Sequence, residues 1–457
     1  MDPAATPLRI GCAAGFSGDR TDAAAPVVDA LVAAGGPAFL IFETLAERTL
    51  ALAQLARRVD PERGYEPLLD ELLRPVLGRC LAHGIRIVSN FGAAHPRGAA
   101  RRIAALAAEL GLKAPRIAVV EGDDVGAPAQ RPLLREALGA NADLDAVMQT
   151  MVCANAYLGA DAIADALVAG ADIVVTGRVA DPSLAVGPAL AHYGWRRDDW
   201  DRLARATMAG HLLECGAQVT GGYYADPGYK DIAGLANVGY PIAEIDADGH
   251  CTITKPAGTG GRIDAHTVKE QLLYEVHDPA AYLTPDVVAD LGEARVVELG
   301  RDRVRLEGVR GHARPATLKV NVFCEQGWLA EGEISYAGPR AESRARLAAQ
   351  VLRERLGTLA RLRVDLIGVA SILGDDGGAW LSAQPRGDVR DVRLRVAAVH
   401  DDKAVAQRLP REVTALYTCG PAGGGGVRTA LRQRLSTRSC FVAREGAPAR
   451  FTMMEPA

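Results

Sequence analysis

The sequence lacks any closely spaced cysteine pair. Its eight cysteines stand at 12, 80, 153, 215, 251, 324, 419 and 440, and no two form a C-x-x-C. That scatter argues against a zinc ribbon or a disulfide framework and fits reduced, mostly buried thiols in a cytosolic protein. Aromatic residues are scarce, at 5%, while Ala, Gly and Arg abound, which speaks of coding bias more than of function. A large excess of charge of one sign is missing too. A formal balance of −4 gives no reason to expect nucleic acid or an anionic membrane as partner. No apolar run approaches the length of a membrane span. The opening "MDPAATPLRIG" has neither the basic nor the apolar region of a secretion signal. A cytoplasmic protein is expected.

What is present is the material of a globular enzyme. A chain of 457 residues is too long for one ordinary core, so two domains are expected. The first half alternates short apolar runs with Ala/Leu-rich amphipathic stretches. "RIGCAAG", "AFLIFE", "IRIVSN", "RIAVVEG" and "ADIVVTGR" read as buried strands, with helical segments between them. This rhythm predicts an α/β fold with a parallel sheet covered by helices. Beyond residue 245 the strands become period-2 or short, as in "GHCTITK" and "VRLRVAAVH", and few helices interrupt them. The division expected is therefore 1–245, an α/β Rossmann-like core, and 246–457, an α+β mixed-sheet region with Gly-rich loops.

Candidate sites follow from the strand ends, where parallel sheets collect ligands. "GCAAGFSGDR" carries Gly11, Gly15 and Gly18, with Glu43 closing the next strand. It resembles a dinucleotide turn, but its spacing is G-x-x-x-G-x-x-G and Asp19 falls where a pyrophosphate wants no anion. A glycine-permitted turn and a functional role for Asp19 and Arg20 stand beside NAD(P) binding. Three further strand ends carry polar clusters: Asn90 with His95, Asp123 with Asp124, and Thr176 with Arg178 and Asp181. Each alone reads as turn or cap chemistry. Together they predict one rim that binds a ligand.

Two glycine loops add to this. "TITKPAGTGGRIDAHTVKEQLL" holds Lys255, Gly258, Gly260 and Gly261 between a strand and a helix, with Thr267 and Glu270 as a capping box. "LYTCGPAGGGGVRTALRQRL" places Gly420, Gly423, Gly424, Gly425 and Gly426 between a strand and a basic helix. Backbone N–H groups at a helix start bind phosphate or carboxylate, so a coenzyme A thioester would explain both loops. The plainer reading is tight backbone packing.

Within residues 205–226, "RATMAGHLLECGAQVTGGYYAD", His211 and Cys215 share a helix face and Glu214 flanks it. The pattern is not H-E-x-x-H, and no second cluster completes a ligand set, so no metal is predicted. An acid/base role for His211 and Glu214, packing, and a Cys215 nucleophile remain open.

The stretches "LAERTL", "VVEGDDV", "TGRVADPSL", "AGHLLECGAQVTGG", "PIAEIDADGHCTITKPAGTGG", "QLLYEVHDPAAYLTPDV" and "GPAGGGGVR" occur in order from about residue 9 to 430. In this they resemble the acyclic terpene utilisation (AtuA-like) family. The resemblance implies catabolism of acyclic terpenoids such as citronellol and geraniol, whose acids are degraded as CoA thioesters. Longer relatives carry a C-terminal ferredoxin-like extension, which implies that this module is either absent here or a separate polypeptide partner. The expectation is an enzyme acting on a branched acyl-CoA or small carboxylic acid, a hydratase or carbon–carbon lyase. His211 and Glu214 would be its acid/base pair, and Asp123, Asp124, Arg178 and Asp181 would position substrate. A nicotinamide-dependent oxidoreductase and a non-catalytic scaffold subunit are the alternatives. A small-molecule substrate and a second copy of the chain are the other expected partners.

Overall fold

The computed structural model describes residues 6–139, 144–357, 359 and 361–455. The apolar runs of the first half form five neighbouring parallel strands. In spatial order they are Leu8–Cys12, Ala38–Phe42, Arg86–Ser89, Ile173–Thr176 and Ile117–Glu121. All five residues of Ala38–Phe42 are buried, as a strand covered on both faces requires. Helices such as Ala24–Ala34 and Pro96–Glu109 connect them. Gly11 is needed where the first strand meets the first helix, since a Cβ there would lie 2.3 Å from Val27.

The change of rhythm at 245 marks where this same sheet turns antiparallel. Ile242–Ile245 pairs with Leu8–Cys12. Cys251–Thr254, Arg303–Glu307 and Arg295–Gly300 then extend that edge. On the opposite edge Arg450–Met453 pairs antiparallel with Ile117–Glu121, giving a ten-stranded mixed sheet. The class is thus mixed α/β.

The chain divides into two compact units, Met1–Val322 with Arg438–Ala457, and Phe323–Thr437. The first contains the ten-stranded sheet. In the second, Leu362–Ile367 pairs with Asp391–His400, whose alternate residues Val392, Leu394 and Val396 are buried beneath the helix Ala341–Arg355. The intervening Arg393 and Arg395 meet Glu333 and Asp365 at 3.1 and 2.7 Å. Period-2 patterning explains both faces.

The glycine loop at 420–426 lies in this second unit, and its context differs from the expected one. The helix Arg408–Cys419 precedes it and the strand Gly425–Ala443 follows. No helix starts after the glycines, so the helix-dipole argument for an anion site lapses there. The β-branched and alternating "VRTALRQRL" favours a ladder over a basic helix.

Candidate active site

The carboxyl ends of the parallel strands carry an interlocked polar set. Asn90 accepts the Thr44 backbone N–H at 2.8 Å and donates to Glu43 at 2.8 Å. Glu43 also accepts from Leu45 N–H at 2.8 Å. Burial raises the Glu43 carboxyl well above its usual range, and the nearby Asp181 charge adds to the rise. Asp123 receives the Arg178 backbone N–H and the Asn155 amide, each at 2.9 Å, and burial pushes its pKa up to about 6. Arg178 is 1% exposed. Its guanidinium bonds Val179 O at 2.8 Å, Leu45 O and the Asp181 carboxylate, and lies 4.4 Å from the Tyr157 ring centroid. Burial opposes that charge, yet Asp181 and the neighbouring acids hold its pKa above the ordinary value. Arg178 is therefore a fixed brace that aims Asp181.

The helix Trp200–Glu214 delivers the second part. It is buried from Ala206 through its end, so His211 and Glu214 are inside the protein. His211 Nδ1 stands 2.9 Å from Glu214 Oε1 and Nε2 is 3.0 Å from the backbone carbonyl of Gln271. A carbonyl only accepts, so Nε2 carries hydrogen. One further proton then sits between Nδ1 and Oε1, on either partner. Burial works against a charged His211, but Glu214 outweighs it and raises the imidazole pKa. Burial likewise pushes Glu214 up to about 7, with His211 opposing and Asp181 and Glu275 reinforcing the rise. The second oxygen, Glu214 Oε2, is buried with no hydrogen-bond partner among the described residues. Such an atom is costly unless something else answers it. Both nitrogens of His211 are occupied, so Glu214 is the member of the pair free to act.

Glu214 opens on a cleft of about 280 Å³. Its walls bring together Glu47, Asp181, Glu214 and Glu275, with Tyr157, Tyr282 and the cation Lys319. Asp181 keeps 35% of its side chain exposed, and burial by its neighbours raises its pKa. Glu47 accepts from the Tyr157 hydroxyl, and Asn321 donates to Tyr157 at 3.0 Å. Lys319 Nζ is 3.6 Å from Glu47 and 4.8 Å from the Tyr157 ring centroid. Glu275 holds a left-handed φ of 59°, a costly conformation for a residue with a side chain. The Tyr282 ring packs 5.2 Å from His211. Glu47, Tyr157, Glu275, Tyr282 and Lys319 were not singled out from the sequence. Glu47, Glu275 and Tyr282 do lie inside "LAERTL" and "QLLYEVHDPAAYLTPDV"; the three acids and two tyrosines of the second were the available signal, and the first offered none.

Other expected site residues are placed elsewhere or already engaged. Asp19 accepts from Gly15 N–H at 2.8 Å and from the Tyr240 hydroxyl, filling the turn where a dinucleotide phosphate would sit. Gly15 packs on the backbone of Cys215 and Gly216. Arg20 pairs with Asp22 at 2.9 Å. His95 begins the helix Pro96–Glu109, beside Arg101 at 3.2 Å, and its pKa is lowered by burial. Asp124 is exposed and closes a local turn onto Gly126 N–H at 2.9 Å. Thr176 is fully buried and donates to Gly177 O at 2.9 Å. Burial raises the Cys215 thiol well above its ordinary range, which removes it as a nucleophile near neutrality.

The Lys255 loop is likewise spent internally. Its ammonium, 4% exposed, meets Thr259 O at 3.0 Å and Asp302 at 3.6 Å. A Cβ on Gly260 would lie 1.8 Å from Gly234 O, and one on Gly261 2.4 Å from Thr220 O, while Gly258 has open space and φ of 78°. The capping box expected at Thr267 and Glu270 is formed by Asp264 and Thr267 instead; Glu270 pairs with Lys230 at 2.6 Å. The Asp264 carboxylate thus occupies the helix start that an anion would need. In the second unit, Arg344 donates to Ala422 O at 2.7 Å and crowds Gly423, and Gly424 lies against Ile334. A Cβ on Gly425 would meet nothing within 4 Å among the described residues, and Gly426 has φ of 65°. Among the described residues no group of three or more His, Cys, Asp or Glu side chains forms a metal site. No helix among them is long and apolar enough to cross a membrane.

The model of the acyclic terpene utilisation family protein AtuA matches residues 8–453. No curated protein and no solved structure matches the chain. The match spans both compact units, and the chain belongs to that family, with a role in the use of acyclic terpenes.

Proposed function

We propose that this member of the family is a hydratase or carbon–carbon lyase acting on an unsaturated or hydroxylated branched acid, or its thioester, from an acyclic terpene. The observation that carries the reading is Glu214: a carboxyl raised to about 7, hydrogen-bonded to His211 and holding a buried oxygen with no partner among the described residues, beside the cleft. A general acid with a pKa near the working pH combines adequate protonation with a real driving force for transfer.

In hydration, Glu214 gives its proton to one carbon of the double bond. Water adds to the other carbon and passes a proton to Asp181. One π bond breaks, one C–H and one C–O bond form, and proton exchange between the two carboxyls resets the site. A carbon–carbon lyase uses the same groups in the same roles: Asp181 takes the proton of a hydroxyl, the carbon–carbon bond breaks as that carbon becomes a carbonyl, and Glu214 protonates the carbon released. Lys319, the cation lining the cleft, would receive the carboxylate or thioester oxygen. His211 touches no substrate and acts as a positioning residue that shares a proton with Glu214. A thioester's phosphates meet mainly acids in this cleft, so the coenzyme part would lie outside it.

Glu214→Gln preserves size and removes the proton. Turnover of branched unsaturated acids and their CoA thioesters, followed as gain of one water or as fragments by mass spectrometry, should fall about 100-fold or more. The thermal midpoint should hold. Full turnover in this variant would remove the assignment.

A further inference from the structure

The second compact unit holds a pocket that neither the acid–base reading nor the glycine loops account for. Its volume is about 400 Å³, within the range of about 300–1,000 Å³ typical of small-molecule sites. Ser343, Arg346, Gln350 and Arg353 follow one another at three, four and three residues along the helix Ala341–Arg355. One face of that helix is therefore a wall of the pocket. The opposite stripe, with Ala345, Ala348 and Leu352, is buried in the core of the unit. Ser382, on the short helix Ala379–Ala383, and Arg386, just beyond it, complete the polar lining. Leu366 and Leu381, both buried, add an apolar part beside the exposed Leu347. All these residues belong to the second unit, and none lines the acid-rich cleft.

The charge of this wall is one-sided. A solvated helix face commonly answers its cations with acids three or four residues away. Here one wall arginine is answered so: Arg346 Nε donates to Glu342 at 2.8 Å. Glu342 is 2% exposed, and its other oxygen accepts Gly387 N–H at 3.1 Å. A buried carboxylate thus fixes Arg346 and ties the helix to the backbone next to Arg386. Glu354 accepts the Gln350 amide at 2.9 Å, and the Ser382 hydroxyl donates to Gly378 O at 2.8 Å. Among the described residues no carboxylate pairs with Arg353 or Arg386, and no acid lines the pocket. Three guanidiniums against one carboxylate leave a surplus of two positive charges.

We infer that this pocket binds a phosphate monoester, with the phosphate among Arg346, Arg353 and Arg386 and the organic part on Leu366 and Leu381. Such a group carries about −1.5 to −2 charges at pH 7 and three strong acceptor oxygens, which matches the surplus and the number of guanidiniums. The Ser343 hydroxyl adds a donor at the same wall. A carboxylate brings a single charge and two oxygens, so it would leave one cation unanswered.

The test is calorimetric titration of the full chain with phenyl phosphate, AMP, inorganic phosphate and benzoate. The tighter of the two monoesters should exceed benzoate, which has the ring but a single charge, at least about tenfold. It should exceed inorganic phosphate, which has the charge but no organic part, by a similar factor. AMP ahead of phenyl phosphate would make the organic part a nucleoside, and the reverse order a simpler apolar group; both orders support the site. Arg353→Gln and Arg386→Gln alter exposed positions, so the fold should hold while each weakens the tighter monoester at least about tenfold. Arg428→Gln, at an exposed arginine outside the wall, should leave binding unchanged and so separates this site from diffuse attraction to a basic surface. No binding of either monoester would overturn the proposal. So would benzoate or inorganic phosphate binding as tightly, unchanged binding in the Arg353 and Arg386 variants, or an equal loss in Arg428→Gln.

Discussion

Two stretches of the first compact unit invite comparison: the Lys255 loop and the end of the helix Trp200–Glu214. Both looked chemically promising in sequence. In the loop every notable group is answered from within the chain, Lys255 by Thr259 and Asp302, Asp264 by its own helix start, Gly260 by the backbone of Gly234. At the helix end one carboxylate oxygen is left unanswered by any described residue beside a cleft. A conspicuous motif and an available functional group are different properties. Glycine-rich sequence reports that backbones touch or turn, whereas chemistry sits where a buried polar atom lacks a partner.

The comparison breaks most sharply at Gly260. Gly260→Ala drives a methyl to within 1.8 Å of Gly234 O, so the folded state should lose about 3 kcal/mol or more, read as a drop in denaturant midpoint. If Gly260→Ala folds normally and loses only ligand affinity, the loop is a binding element after all.

Next comes Asp123, whose folded pKa is raised from 3.8 to about 6. The folded protein holds the proton more tightly, so this contribution to stability is complete below pH 3.8 and is lost as pH rises through 6. Asp123→Asn should remove up to about 3 kcal/mol of that pH dependence, seen in melts between pH 4 and 7 as a flatter profile. An unchanged profile would mean that Asp123 is ionised at little cost.

A smaller effect sharpens the Glu214 side. Activity that needs its proton should decline as pH rises through about 7. Because His211 lowers the Glu214 pKa, His211→Gln should move that limb to higher pH. A limb that stays in place would reduce His211 to packing. The smallest effects are expected at Gly425→Ala, where a Cβ meets nothing within 4 Å, and at Cys215→Ala. Stability of the former should change by less than about 0.5 kcal/mol, and turnover of the latter should persist.

Much of the fold was legible for one reason. Strands such as Ala38–Phe42 and Ile117–Glu121 are buried on both faces and so appear as unbroken apolar runs. The insertion of Ile173–Thr176 between Arg86–Ser89 and Ile117–Glu121 was not legible, because strand order leaves no local trace. The helix expected after "GPAGGGG" is a strand because the alternation of "VRTALRQRL" suits a ladder, a pattern its helix-forming Leu and Arg masked. Of the site, Arg178, Asp181, His211 and Glu214 were legible as polar groups stranded at strand and helix ends. Tyr157 and Lys319 were not: they meet because Tyr157 N–H bonds Lys319 O at 2.9 Å, a pairing across more than a hundred and fifty residues.

The antiparallel strand Arg450–Met453 also bears on how the protein is made. Its partner, Ile117–Glu121, leaves the ribosome about 330 residues earlier, counting from 121 to 450. At about 5–20 residues per second, that edge waits roughly 15–65 s for its neighbour. For that interval a row of unpaired backbone donors and acceptors is open to other chains. The nascent protein is therefore most prone to mispairing next to Asp123 and Asp124, and chaperone occupancy during translation should be highest there.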